Sequence, residues 1–245
     1  MPRLLIVNAD DLGYDPAVDR GILEAATRGI VTSATLMVNT AFSVRSAAGA
    51  KAAPALALGL HLNFARGESL SKALSLLGAD GGLAEERAAT VTPEDAAAEA
   101  VAQLARFEAL TGKAPTHLDV HKHLHRHPGI FAGVAQVARQ RKLPLRAIDD
   151  AMRAAVRSAG LATPDAFIGD TGVEAYWSPG KLLAALDRLG EGITELMCHP
   201  GYRPELTRTS YGVQREGELA ALVDPRVVER CRGAELRLVT FAALH

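Results

Sequence analysis

The chain is poor in cysteine, in net charge and in long apolar runs, and each shortage excludes a class of function. Only two cysteines occur in 245 residues, Cys198 and Cys231, with no Cys-x-x-Cys pair. That rules out a disulfide framework and a thiolate zinc or redox motif, leaving two buried thiols as the expectation. Cys198 directly precedes His199, but neighbours on a strand point to opposite faces, so a Cys/His nucleophile pair is not expected. The formal net charge is −1, with a pI near 6.7. Without a basic field there is no general attraction to nucleic acid or anionic lipid, so the expected partner is a small or neutral molecule. The N-terminal apolar run Leu4-Leu5-Ile6-Val7 is too short for a signal-peptide core or a membrane span. No membrane insertion and a cytoplasmic location are therefore the defaults. Neither Gly-x-Gly-x-x-Gly nor a P-loop is present, so nucleotide binding has no support.

What the chain does have is alternation. Short β-branched apolar runs at 4–9, 33–38, 57–61, 117–121, 145–148, 166–168, 194–198 and 235–241 read as strands. Segments of helical period lie between them at 16–27, 43–52, 93–111, 128–141, 150–158, 179–189 and 225–231. Several of these begin with proline in the first turn. Strands alternating with helices argue for βα units and a parallel sheet. The expectation is one α/β domain over 1–245, a (β/α) barrel-like fold with seven to eight mostly parallel strands and room for distortion; a doubly wound open sheet is the alternative. The stretch 63–92 has no clear period and contains four glycines. It reads either as a substrate-covering or interface loop or as a tolerated surface insertion.

The polar residues that interrupt the apolar runs gather where a barrel places its chemistry. Asn8, Asp10 and Asp11 end the first run, His61 the third, His121 the fourth and His199 the seventh. Two carboxylates at the end of a buried strand are costly unless paired, solvated or bound to a cation. Two imidazoles and a carboxylate from separate strands make a three-ligand metal site with open positions. Five of the eight histidines crowd into Thr116-His-Leu-Asp-Val-His-Lys-His-Leu-His-Arg-His-Pro128, at odd positions shared with Asp119. If extended, the segment would show all six side chains on one face. His117, at the start of its strand and away from the strand ends, is expected to be structural. His123, His125 and His127 run past the strand end as loop or rim groups.

Asn8-Ala-Asp-Asp-Leu-Gly13, Gly59-Leu-His-Leu62, the histidine-rich segment and Glu195-Leu-Met-Cys-His-Pro-Gly-Tyr202, in that order, resemble the YdjC-type carbohydrate deacetylases, a family that includes chitooligosaccharide deacetylases and hopanoid-biosynthesis-associated proteins. The likeness runs from residue 3 to about residue 220. It implies a barrel-like α/β fold and a hydrolase that removes acetyl groups from N-acetylated saccharides. It also implies a divalent cation, magnesium by resemblance, with zinc the alternative that histidine ligands favour. By position Asp11, His61 and His121 match the metal ligands and Asp10 the catalytic base. The chain departs from the family pattern at Leu12, where phenylalanine is commoner, and at Lys122, inside a run that is often all histidine.

The chemistry that suits these residues is amide hydrolysis. Asp10 would take the proton of the attacking water, and His199 would protonate the departing amine. Asp119 and Glu195 are candidates to hold the ligating histidines through their other ring nitrogen. A metal-dependent phosphoesterase or amidohydrolase would also use His and Asp, although with a His-x-His pair at the first strand, where this chain has Asp-Asp. A non-catalytic metal-binding protein would need neither Asp10 nor His199. The expected partner is a small N-acetylated saccharide, with no nucleic acid; a homodimer stays open.

Overall fold

Pro16, Pro93, Pro128, Pro179 and Pro225 each stand in the first turn of a helix, where the missing N–H is one the helix leaves unbonded anyway. Before four of them, Asp15, Thr92, Ser178 and Asp224 cap the helix with a side chain that accepts an amide two or three residues on. Strong local signals therefore fix where these helices start.

The computed structural model describes residues 3–244. The order is β1 (Arg3–Leu12), α1 (Pro16–Arg28), β2 (Ser33–Leu36), α2 (Ser43–Ala50), β3 (Ala57–Leu62), α3 (Pro93–Thr111), β4 (Leu118–Val120), α4 (Pro128–Arg141), α5 (Asp150–Ser158), β5 (Ala166–Ile168), α6 (Pro179–Asp187), β6 (Gly192–Cys198), α7 (Gln214–Leu222), α8 (Pro225–Arg232) and β7 (Leu236–Val239). Among the described residues seven strands form one sheet, six of them in the order β4-β3-β2-β1-β6-β5 with β7 paired to β1 off this path, and every strand pairing is parallel. β6 runs along β1 from Arg3 to Ala9. The other edge of β1 is divided between β7, beside Arg3–Ile6, and β2, beside Asn8–Leu12.

The sheet curls without closing. Residues 145–148, expected as a strand, contribute only an isolated bridge from Leu145 to Leu118. Side chains meet where backbones do not: Arg146, beyond the β4 edge, donates from Nε to Glu195 on β6 at 2.7 Å and lies 5.5 Å from the Phe167 ring of β5. The fold is thus a distorted, open barrel. Two further expectations change. Helix α7 falls in a stretch read as connection, and residues 63–92 contain two short 3₁₀ turns, Leu74–Leu76 and Glu85–Thr90. Glu99 of α3 anchors this stretch by accepting from Ser69, Leu70 and Ser71.

The apolar faces of β1–β3 and of α1, α3 and α4 share one core, with Val7, Ile22, Leu60, Leu104 and Val134 all buried. Gly21 allows a close approach: a Cβ there would collide with the backbone of Gly201. Helix α1 is thereby seated against the loop that follows β6.

Candidate active site

The site is built at the C-terminal ends of the parallel strands, the usual place for chemistry in such sheets. Its first element is a β-bulge. Between Ala9 and Leu12 β1 advances three residues while β2 advances two, from Ala34 to Leu36, and Asp11 takes a left-handed φ of 71°. In a regular strand Asp10 and Asp11 would face opposite ways. The extra residue turns both toward one cavity.

Asp11 Oδ1, His61 Nε2 and His121 Nδ1 stand at the corners of a triangle with sides of 3.3, 3.0 and 3.2 Å. All three side chains are buried, and Asp11 Oδ1 has no hydrogen-bond partner among the described residues. Donors about 2.1 Å from one cation lie about 3.0 Å apart at right angles and about 3.4 Å apart in a tetrahedron, so the observed spacing suits a divalent cation. The electrostatics agree. Burial alone would push His61 down, but Asp119, Asp11 and Asp10 carry it up to about 10, so the pocket favours positive charge there. Burial lowers His121 against the pull of Asp11, keeping a neutral imidazole for ligation.

Each donor is held from behind. His61 Nδ1 lies 2.7 Å from Asp119 Oδ1, which holds a proton on Nδ1 and aims Nε2, the nitrogen on which a cation would replace a proton, at Asp11 and His121. Thr35 on β2 donates to the other Asp119 oxygen at 3.0 Å. Arg215 of α7 donates to Asp11 Oδ2 at 2.5 Å, leaving Oδ1 free.

Asp10 is positioned differently. Arg146 grips both its oxygens at 2.6 and 2.7 Å, and Asn8 donates to Oδ1 at 2.9 Å. Burial would raise the Asp10 pKa, but the guanidinium overrides it and holds the carboxyl well below the usual range. Glu195, expected behind a ligating histidine, instead accepts from Arg146 Nε, and burial pushes it up to about 7. His199 follows β6. Glu218 of α7 accepts its backbone N–H at 2.6 Å, the His199 ring stands edge-on to Tyr211, and its Nδ1 is buried without a partner among the described residues.

Asp10, Asp11, His61, His121 and His199 all line one cavity of about 420 Å³, together with His123, Tyr14, Tyr211 and Arg215. Tyr14 also lines a neighbouring cavity of about 940 Å³ that takes Arg66 and Glu68 from the 63–92 stretch. Glu85 reaches the rim of the smaller one and pairs with Lys122. So part of that stretch covers the cavities rather than standing off as an insertion.

The histidine-rich segment divides. His121 is a candidate ligand just beyond the end of β4. His117 packs in the core, stacked on Phe241 with ring centroids 3.4 Å apart. The extended face ends at His121, because Lys122 and His123 both adopt left-handed φ values, 55° and 54°. Sequence reasoning missed Arg146 and Arg215. A charged residue inside the apolar Leu143-Pro-Leu-Arg-Ala-Ile148 was a signal for the first. The second lies on the helix that was not foreseen. Cys198 donates from Sγ to the Asn8 carbonyl, and burial raises its thiol pKa well above the ordinary value, as a buried thiol rather than a nucleophile.

Residues 4–233 match the family described as YdjC-like protein. A carbohydrate deacetylase of Geobacillus stearothermophilus is 39% identical over 250 residues, covering 98% of both chains. A chitooligosaccharide deacetylase of Yersinia enterocolitica is 34% identical over 255 residues, covering 99% of both. Among solved structures, a protein of Enterococcus faecalis V583 described as a cellobiose-phosphate cleavage protein superposes with a TM-score of 0.87 at 26% identity, covering 100% of this chain and 99% of that one.

Proposed function

Because the chain belongs to the YdjC-like protein family, we propose that it is a divalent-cation-dependent hydrolase that removes acetyl groups from N-acetylated saccharides. The observation that carries this reading is the triangle of Asp11 Oδ1, His61 Nε2 and His121 Nδ1, with a buried carboxylate oxygen that no donor among the described residues satisfies. Magnesium is the cation suggested by family resemblance, and zinc is the alternative suggested by the two imidazoles. When bound, such a cation lowers the pKa of water and polarises a carbonyl.

The chain's own residues supply the remainder. Asp10, kept ionised and oriented by Arg146, accepts the proton of the attacking water. Asp119 holds His61 in the tautomer that presents Nε2. Arg215 restrains Asp11 so that a single oxygen faces the two imidazoles. An amine leaves poorly unless protonated, and His199, in the same cavity, donates that proton to the nitrogen. The adjoining larger cavity, reached past Tyr14, gives an oligosaccharide room to extend.

The test is the purified protein with N-acetylglucosamine oligomers and, separately, a phosphate monoester. Acetate and free amine released in equal amounts, with no phosphate released, is the expected result. Phosphate release without acetate release would place the protein among the phosphoesterases.

A further inference from the structure

Among the polar groups of the cavity that the mechanism does not use is a histidine. His123 lines the same cavity as Asp10 and His199, and three independent observations single it out. Its backbone, with that of Lys122, holds two successive left-handed φ values in residues that are not glycine, a conformation that persists only where the surroundings impose it and that clusters at functional sites. Its Nδ1 is buried without a hydrogen-bond partner among the described residues, so no protein group satisfies that edge of the ring. Its ring stands edge-on between two others, with centroids 5.9 Å from Phe167 and 6.1 Å from His125.

The double left-handed turn sends three neighbours to three tasks. His121 goes to the ligand triangle, Lys122 to the rim, where it pairs with Glu85, and His123 to the cavity wall. With Nδ1 buried, Nε2 is the ring nitrogen on the cavity side.

We propose that His123 is a substrate-binding residue of this site, whose imidazole hydrogen-bonds a hydroxyl of the acetamido sugar and makes the cavity selective for sugar amides over small acetyl compounds. This rests on the deacetylase reading above and adds the group that recognises the sugar. An imidazole held between two rings offers a hydrogen-bonding edge with less rotamer freedom to lose on binding.

The test uses His123→Ala and His123→Asn with the parent protein, measuring bound zinc, melting temperature, and kinetics on N-acetylglucosamine oligomers and on 4-nitrophenyl acetate, which has no sugar. Zinc content should stay at the parent level in both variants. KM for the oligomer should rise about 10-fold, the effect of one lost hydrogen bond, while 4-nitrophenyl acetate turnover changes less than about two-fold. Asparagine tolerates the left-handed region, so His123→Asn should melt no lower than the parent while still losing oligomer affinity. Equal losses on both substrates, loss of zinc, or a lower melting temperature with unchanged oligomer KM would each overturn the proposal. A parent that releases no acetate from any saccharide would instead refute the deacetylase reading itself.

Discussion

The two ends of β4 carry the same side chain in opposite roles. At its start, His117 lies flat on Phe241, takes a hydrogen bond or gives one to Thr116 through Nδ1, and fills the space above Gly59, where a Cβ would strike its ring. Burial and Arg146 hold its pKa well below the ordinary histidine value, so it stays neutral and acts as an aromatic plate. At the far end, His121 Nδ1 faces Asp11 at 3.0 Å and His61 at 3.2 Å. What separates the two is not burial, since both are buried, but what each ring nitrogen meets. Apolar packing makes a histidine structural; converging donors with an unsatisfied carboxylate oxygen make it a candidate ligand.

The largest effects should come from exchanging these roles by mutation. His121→Ala and Asp11→Ala should abolish cation binding and reduce acetate release by roughly 10³-fold or more, with the fold retained by circular dichroism. His117→Ala should do the reverse: a loss of roughly 2–4 kcal/mol in urea unfolding, from the emptied space beside Phe241, with cation binding and turnover per folded molecule kept. If His117→Ala lost the cation while staying folded, the distinction between the two ends would be wrong.

Within the cation end, the proton-handling residues should separate from the ligands. Asp10→Asn should bind the cation as the parent does yet lose roughly 10²–10⁴ in rate, because a general base contributes about that much without ligating. His199→Ala should impair cleavage of a sugar amide far more than that of an activated aryl ester, whose leaving group needs no proton. Equal losses on the two substrates would point to substrate positioning instead.

The smallest effect concerns Glu195. Its folded pKa of about 7 lies above the ordinary 4.5, so the folded state holds the proton more tightly. Its stabilising contribution is complete below about 4.5 and is lost as the pH rises through about 7. Glu195→Gln keeps an acceptor for Arg146 Nε but cannot ionise. Its stability relative to the parent should therefore improve by about 2 kcal/mol between pH 5.5 and pH 8. Urea unfolding at the two pH values measures this, and a constant gap would mean that Glu195 is ionised throughout the range.

The legible part of the molecule was the part written in local pattern. Prolines in the first turn marked several helix starts, β-branched runs marked strands, and polar residues at the ends of those runs marked Asp10, Asp11, His61, His121 and His199 as neighbours. The rest depends on contacts distant in sequence. Arg146 meets Asp10 across 136 positions and Arg215 meets Asp11 across 204, and no spacing announces either. The bulge at Asp11 depends on β2 taking two steps for three of β1, a register that neither strand reveals alone. Residues 145–148 had the apolar character of a strand but only one bridge to pair with, because the curled sheet joins there through side chains.

The central claim, that Asp11, His61 and His121 hold one divalent cation on which deacetylation depends, is tested most directly by titrating chelator-stripped protein with magnesium or zinc while following acetate release from an N-acetylglucosamine oligomer. Activity should start near zero, rise linearly with a tightly bound cation and break at one ion per chain, and Asp11→Ala should show no rise. Full activity in the stripped protein, or one ion bound per chain with no acetate released, would contradict it.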